Sequence, residues 1–166
     1  MRDFLNPAMC KWLGIALAVI IADHLTKFWV TSMLDYQEVV PVLPFFSLVL
    51  VYNSGAAFSF LADAGGWQRW FFIAIGVIAT VIIVRLLKLH AGQPRMAFAL
   101  ALLLGGALGN VIDRVVLGHV VDFLYFYYRS FAWPAFNVAD SAITVGAGLL
   151  IWDSLTSKPA TPDKAA

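Results

Sequence analysis

Long apolar runs alternate with shorter, more polar connections along the chain. A helix needs about 20 residues to cross a hydrocarbon core of about 30 Å, and four of these runs reach that length. They lie at about 12–33, 68–89, 96–116 and 137–155. We therefore predict an all-α polytopic membrane protein with four transmembrane helices, built as a single domain over residues 1–166 with a tail from about 156.

The first run follows Arg2 and Lys11, as the apolar part of a cleavable signal sequence would. However, its helical pattern continues through Asp23 and Lys27 without a small-x-small cleavage site or a polar mature start. We therefore predict a span that is retained.

The connection at about 34–67 is not a simple loop. Its segment V-V-P-V-L-P-F-F-S-L-V-L-V-Y is rich in β-branched and aromatic residues and is broken by Pro41 and Pro44, which predicts short strands with exposed edges. N-S-G-A-A-F-S-F-L-A, which starts at Asn53, begins with a turn signal and continues with the pattern of a short amphipathic helix. We predict a small β-sheet resting on the membrane surface, followed by a short helix.

Composition supports the membrane assignment. The chain is 61% hydrophobic, and its mean hydropathy of +0.83 is too high for a soluble domain. The formal net charge is only +1 and no basic stripe is present, so nucleic acid is not expected as a partner. The single cysteine, Cys10, excludes an intrachain disulfide and any C-x-x-C site.

The positions of Lys and Arg predict the orientation, because short cytoplasmic loops carry an excess of positive charge. Seven lie near the span ends of one side: Arg2, Lys11, Arg85, Lys88, Arg95, Lys158 and Lys164. Three lie on the other side: Arg69, Arg114 and Arg129. Both termini should therefore be cytoplasmic, and the connection that contains the predicted sheet should lie in the periplasm or its equivalent.

With this topology, polar residues from separate segments meet near the outer membrane boundary. They are Asp23, Lys27, Asn110, Asp113, Arg114, Asp122, Asn137 and Asp140. Ionised carboxylates are costly near hydrocarbon, so a pair of them beside one span indicates chemistry more than packing. Asp122 and Asp140, which flank the start of the last span, are the candidate catalytic pair. The aromatic segment between them is typical of the headgroup level and would hold Asp122 close to the lipid surface.

Both candidate acids also have a structural interpretation. Asn137 is a good N-cap, and an acid three residues later has the spacing of a capping box, which alone could explain Asp140. Asp122 could be a solvated acid in a loop, and His119 beside it is more typical of a surface histidine than of a ligand.

The remaining polar residues have similar alternatives. Asp23 and Lys27, four residues apart, could form a helix-stabilising ion pair with a supporting role. Asn110, Asp113 and Arg114 share one helical face, and they could bond one another or orient the site. Gly105 and Gly109 have the small-xxx-small spacing of close helix packing.

Other reaction chemistries have weaker signals. The three histidines include no H-E-x-x-H pattern, so no metal site is expected. Ser141 lacks a G-x-S-x-G elbow, and nothing marks it as the partner of Lys27 in a serine and lysine pair.

Four motifs carry a family resemblance: N-S-G-A-A-F-S, G-G-A-L-G-N-V-I-D-R, G-H-V-V-D-F and F-N-V-A-D-S-A-I. In this order, between four spans, they resemble the lipoprotein signal peptidases, also called signal peptidase II. The resemblance implies a fold of four helices with a small periplasmic sheet and a short periplasmic helix. It also implies a bacterial inner-membrane aspartic endopeptidase that removes signal peptides from diacylglyceryl-modified prolipoproteins, cutting just before the lipidated cysteine.

By this resemblance, Asp122 and Asp140 are the catalytic residues. The family's other polar motif positions fall on Asp23, Lys27, Asn53, Gly55, Asn110, Asp113, Arg114 and Asn137. These would bind substrate or support the site. The chemistry needs no cofactor, and the implied partners are the lipidated substrate, membrane lipid and globomycin-type inhibitors. We expect a monomer.

Two other functions fit parts of the pattern. Charges within the spans also mark small ion or proton transporters, but the inner halves of these spans are almost wholly apolar. A noncatalytic membrane assembly protein could use glycine-faced helices and the aromatic segment as a binding surface. Loss of cleavage on substitution of either aspartate would distinguish the peptidase from both.

Overall fold

Four long helices and a small antiparallel sheet make up the fold. The structure is a computed structural model that describes residues 7–55 and 65–156. The helices are α1 (Pro7–Met33), α2 (Gln68–His90), α3 (Pro94–Val116) and α4 (Val138–Thr156). All four are long and apolar enough to cross a membrane, which confirms the prediction of four such helices, although the first begins at Pro7 instead of near residue 12.

The third helix lies at the centre of the bundle because its small residues allow close approach. At Gly105, the position of an added Cβ would be 2.7 Å from the backbone oxygen of Ala16 on α1. Gly106 faces the backbone oxygen of Ala139 on α4 in the same way. Bulkier residues at these two positions would push the neighbouring helices away. The third helix, which carries Asn110, Asp113 and Arg114, is thus held directly against α1 and α4.

Apolar side chains fill the end of the bundle where α2 connects to α3. Met9, Leu87 and Leu100 are each no more than 2% exposed and belong to one cluster. Trp12 packs in this cluster, and its indole N–H donates to the Ala91 backbone oxygen at 2.9 Å. This end of the bundle is therefore an apolar core, whereas the buried charged and amide side chains lie towards the opposite end.

The sheet lies at that opposite end and has the order β1-β2-β3-β4. Its strands are β1 (Val39–Leu43), β2 (Phe46–Asn53), β3 (Val120–Tyr128) and β4 (Phe131–Ala132). The prediction that placed the whole sheet within 34–67 is wrong in extent, because β3 and β4 come from the connection between α3 and α4. The aromatic residues of that segment, which we interpreted as headgroup contacts, are also good strand formers.

Antiparallel pairing joins the two connections over the helix ends. Val51 pairs with Asp122, and Asn53 pairs with Val120. Beneath the sheet, Val121 packs in a buried cluster with Val30 of α1. The short helix predicted after Asn53 falls largely on residues 56–64, which lie outside the described residues.

Candidate active site

Asp122 lies in strand β3 and is only 2% exposed, so its interpretation as a solvated loop acid is wrong. Both of its carboxyl oxygens accept hydrogen bonds from asparagine amides. Asn53 Nδ2 donates to Oδ2 at 2.9 Å, and Asn137 Nδ2 donates to Oδ1 at 2.8 Å. Asn53 reaches this carboxyl group because β2 pairs with β3.

Asp140 lies in the first turn of α4 and forms the predicted capping box. Its backbone N–H donates to Asn137 Oδ1 at 2.9 Å, and its Oδ2 accepts from the Asn137 backbone N–H at 3.3 Å. The other carboxyl oxygen, Oδ1, accepts from Asn110 Nδ2 at 2.7 Å. Capping and a role in the site therefore use different contacts of one side chain, and the two interpretations are compatible.

Asn137 connects the two acidic residues and is fully buried. Its amide nitrogen lies 2.8 Å from Asp122 Oδ1 and 3.2 Å from both Asn110 Oδ1 and the Val121 backbone oxygen. The sequence marked Asn137 as an N-cap but gave no sign of these tertiary contacts. One amide thus fixes the start of α4 relative to β3.

Asp122 and Asp140 line the same cavity, which has a volume of about 620 Å³. Burial is the main influence on Asp122 and, together with the negative charge of Asp140, raises its pKa to about 7. The hydrogen bonds from Asn53 and Asn137 and the charge of Lys27 act in the opposite direction. A proton can therefore remain on this pair of carboxyl groups near neutral pH.

An ion-pair network supports the pair from α1 and α3. Lys27 Nζ lies 2.7 Å from Asp23 Oδ2 and 2.7 Å from Asp113 Oδ2, which confirms the predicted Asp23–Lys27 pair and adds a second acid to it. Asp23 Oδ1 accepts the backbone N–H of Ala139 at 2.9 Å. Lys27 Nζ also lies 3.4 Å from Asn110 Oδ1. The network therefore contacts both α4 and the amide that holds Asp140.

Arg114 lies at the cavity wall. Its guanidinium donates to the Gly55 backbone oxygen at 2.8 Å and to the Asn110 backbone oxygen at 3.3 Å. The Gly55 N–H in turn donates to Asn53 Oδ1 at 3.0 Å, which orients the amide that holds Asp122. Arg114 thereby connects α3 to the end of β2.

The structure brings all ten sequence-predicted site residues into this one region. They are Asp23, Lys27, Asn53, Gly55, Asn110, Asp113, Arg114, Asp122, Asn137 and Asp140. Within residues 7–55 and 65–156, no group of three or more His, Cys, Asp or Glu side chains is arranged to hold a metal ion. The Ser141 hydroxyl donates to the Asn137 backbone oxygen, so the structure gives no support to a pairing with Lys27.

Sequence reasoning missed much of the cavity wall. Trp133, Ile143, Thr144 and Val145 line it, but apolar residues in so apolar a chain carry no distinguishing signal. It also missed His24, whose Nε2 lies 3.6 Å from Asp113 Oδ1.

Comparison with known proteins gives a consistent result. The family model described as signal peptidase (SPase) II matches residues 15–156. The chain is 60% identical over 150 residues to the lipoprotein signal peptidase of Paraburkholderia phytofirmans, covering 90% of this chain and 87% of the relative. It is 61% identical over 144 residues to that of Cupriavidus necator, covering 87% and 82% respectively.

A solved structure has a similar fold. It is a bacterial membrane enzyme determined by the in meso method at 2.3 Å resolution, with a TM-score of 0.80 and 32% sequence identity. The match covers 92% of this chain and 94% of the other. The family model spans most of the chain, and the relatives are similar over nearly their full length. This chain therefore belongs to the signal peptidase II family.

Proposed function

We propose that this membrane protease removes signal peptides from diacylglyceryl-modified bacterial prolipoproteins, with Asp122 and Asp140 as its catalytic residues. One observation carries the assignment of the residues: the two carboxyl groups line one cavity, and a buried network of asparagine amides holds both. Family membership and the names of the relatives carry the assignment of the substrate class.

The pair supports an acid and base mechanism. The ionised carboxyl group takes a proton from water as the water oxygen attacks the scissile carbonyl carbon. The protonated carboxyl group donates a hydrogen bond to the developing oxyanion and later gives its proton to the departing amine. The side-chain amides of Asn53, Asn110 and Asn137 keep the carboxyl oxygens of the pair oriented during both steps. Neither step requires a metal or organic cofactor.

The cavity walls suit a substrate that combines peptide and lipid. Trp133, Phe136, Ile143 and Val145 supply apolar surface, whereas Arg114 supplies hydrogen-bond donors. The acyl chains would lie on the apolar surface beside α4, and a cyclic lipopeptide inhibitor of the globomycin type would compete for the same space.

The enzyme would lie in the bacterial inner membrane as a monomer and a single domain. The excess of Lys and Arg supports cytoplasmic termini and a cytoplasmic α2–α3 connection. The sheet and the catalytic cavity would then face the periplasm, where the lipidated cysteine is held at headgroup level. A transporter is not favoured, because the cluster around Met9, Leu87 and Leu100 occupies the other end of the bundle.

The direct test compares two forms of one preprotein, with and without the diacylglyceryl group, incubated with the purified enzyme in lipid nanodiscs. We expect only the lipidated form to lose its signal peptide, seen as a decrease in size and confirmed by mass spectrometry of the new N-terminus. Equal cleavage of both forms would remove lipid from the recognition step. Cleavage of neither form would contradict the proposed function.

The pKa of Asp122 predicts a loss of activity at alkaline pH. The pair needs one shared proton, and a carboxyl group with a pKa of about 7 loses that proton as the pH rises above 7. We expect kcat/KM to fall about tenfold per pH unit on this alkaline side. The measurement is a pH profile with lipidated substrate.

Asn53→Ala provides a check on the same profile. The Asn53 hydrogen bond stabilises ionised Asp122 and lowers its pKa, so its removal should raise that pKa and move the alkaline limb to higher pH. A limb that moved to lower pH, or stayed in place, would contradict the assignment of the limb to Asp122.

A further inference from the structure

His24 is a half-buried residue of α1 that faces the supporting network without lining the cavity. Both of its ring nitrogens lie near carboxylates. Nδ1 is 3.9 Å from Asp23 Oδ2, and Nε2 is 3.6 Å from Asp113 Oδ1. The ring therefore bridges two acidic residues that also share the Lys27 ammonium group.

The hydrogen bond at Nδ1 determines where the first ring proton lies. Nδ1 is 3.0 Å from the backbone oxygen of Ile20, and a carbonyl oxygen can only accept, so Nδ1 must donate. A neutral ring would then point the Nε2 lone pair at the Asp113 carboxylate. That atom is buried and lies 3.6 Å from Asp113 Oδ1, so a lone pair there would face a carboxylate oxygen and repel it.

The charges of the network also favour a proton on His24 Nε2. Asp23, Asp113 and Lys27 are all at most 3% exposed. Two carboxylates and one ammonium group leave this cluster with a net negative charge. The charge of Arg114 also acts on Asp113, but among the described residues only His24 and Lys27 form ion pairs with it. A buried net charge is costly, and a further positive charge would reduce that cost. A proton on Nε2 of His24 would both supply that positive charge and turn the repulsive contact with Asp113 into an attractive one.

Asp113 transmits the effect to the catalytic residues. Its Oδ2 accepts the backbone N–H of Val121 at 3.2 Å, and Val121 directly precedes Asp122. The Val121 backbone oxygen accepts from Asn137, the amide that also holds Asp122. A carboxylate that rotated at Asp113 would therefore release the backbone on which Asp122 is carried.

We propose that His24 is a positioning residue that acts as an imidazolium cation: it pairs with Asp113 and so holds the β3 backbone beside Asp122. The effect on catalysis rests on the proposed function, whereas the charge state of His24 does not. His90 provides a matched control, because its Nδ1 makes the same bond to the Leu86 backbone oxygen at 2.8 Å. No carboxylate within the described part of the chain forms an ion pair with His90.

The first test is nitrogen NMR of isotope-labelled histidine in the full-length protein, with the signals assigned by His24→Gln and His90→Gln. We expect His24 Nε2 to carry a proton at neutral pH and to lose it in Asp113→Asn, whereas the His90 signals stay unchanged. A His24 Nε2 without a proton in the parent protein would overturn the proposal. This readout needs no substrate, so it remains decisive even if no prolipoprotein is cleaved.

The second test separates positioning from substrate binding. We expect His24→Leu, which removes the cation and the donor, to lower kcat about tenfold with KM nearly unchanged. His24→Gln keeps an N–H donor at a similar reach and should show a smaller loss of kcat. The side-chain amide NMR signals of Asn110 and Asn137 should shift in His24→Leu and stay in place in His90→Gln. Unchanged amide signals together with parent-like kcat in His24→Leu would overturn the positioning role.

Discussion

Asp122→Asn and Asp140→Asn should each reduce cleavage of lipidated prolipoprotein by at least about a thousandfold while the protein stays folded in the membrane. General acid and general base steps each contribute about 10²- to 10⁴-fold, and one proton shared by two carboxyl groups makes both steps depend on both residues. Asparagine keeps the size of the side chain but cannot accept the proton from water. The measurement is the rate of signal-peptide release with purified enzyme in nanodiscs.

The two variants should also resemble each other and their combination. Because residues that act as a unit have nonadditive effects, the double variant should be little slower than either single variant. Asp153→Asn is a suitable control, since Asp153 lies near the other end of α4 beside a separate cavity. We expect it to cleave at the parent rate. Near-parent activity in either single variant of the pair would contradict the catalytic assignment.

The folded state of these variants is important for the interpretation. Burial and the Asp140 charge disfavour the ionised form of Asp122, so the carboxyl group destabilises the fold as the pH rises from its ordinary pKa through about 7. Asparagine carries no such charge, but it offers one acceptor oxygen instead of two to the amides of Asn53 and Asn137. Because these two effects oppose each other, we expect Asp122→Asn to unfold at a temperature close to that of the parent at pH 8. Activity lost together with the folded state would not be evidence for catalysis.

The helices were predictable because each apolar run is close to the thickness of a bilayer, which is a local property of the sequence. The extent of the sheet could not be predicted from such a local property. The pairing of Val51 with Asp122 joins residues far apart in the chain, and the aromatic stretch of β3 fits both a strand and a headgroup segment. Only pairing with β2 distinguishes a strand from a headgroup segment here.

In the candidate site, too, contacts between residues close in sequence were predictable and contacts between distant residues were not. The capping box of Asn137 and Asp140 is visible because it spans three residues, whereas the bond from Asn137 to Asp122 depends on how β3 lies beside α4. The Asp23–Lys27 pair was visible as a helical spacing, but the second acid on Lys27 comes from another helix. Sequence motifs therefore predicted residues that the structure brings together, and tertiary structure determined which atoms each contacts.

Lys27→Met should destabilise the protein more than any other single change in the supporting network. Removing one member of a buried ion pair costs about 3–5 kcal/mol, because the remaining charge is left buried without compensation. Here, one ammonium group serves both Asp23 and Asp113, so two carboxylates lose their shared partner at once. We expect a large decrease in the unfolding temperature in detergent and loss of cleavage, since Asn110 also loses a contact.

Lys11→Met is the matched control, because Lys11 is an exposed lysine on the same helix and lies 4.5 Å from the centre of the Trp12 ring. Such an exposed contact contributes about 0.5–1 kcal/mol, so its removal should change the unfolding temperature little. Adding Asp113→Asn to Lys27→Met should recover part of the lost stability, because it removes one of the two buried carboxylates that Lys27 neutralises. If the double variant were less stable than Lys27→Met, Lys27 would stabilise the bundle by packing and not by neutralising the buried acids.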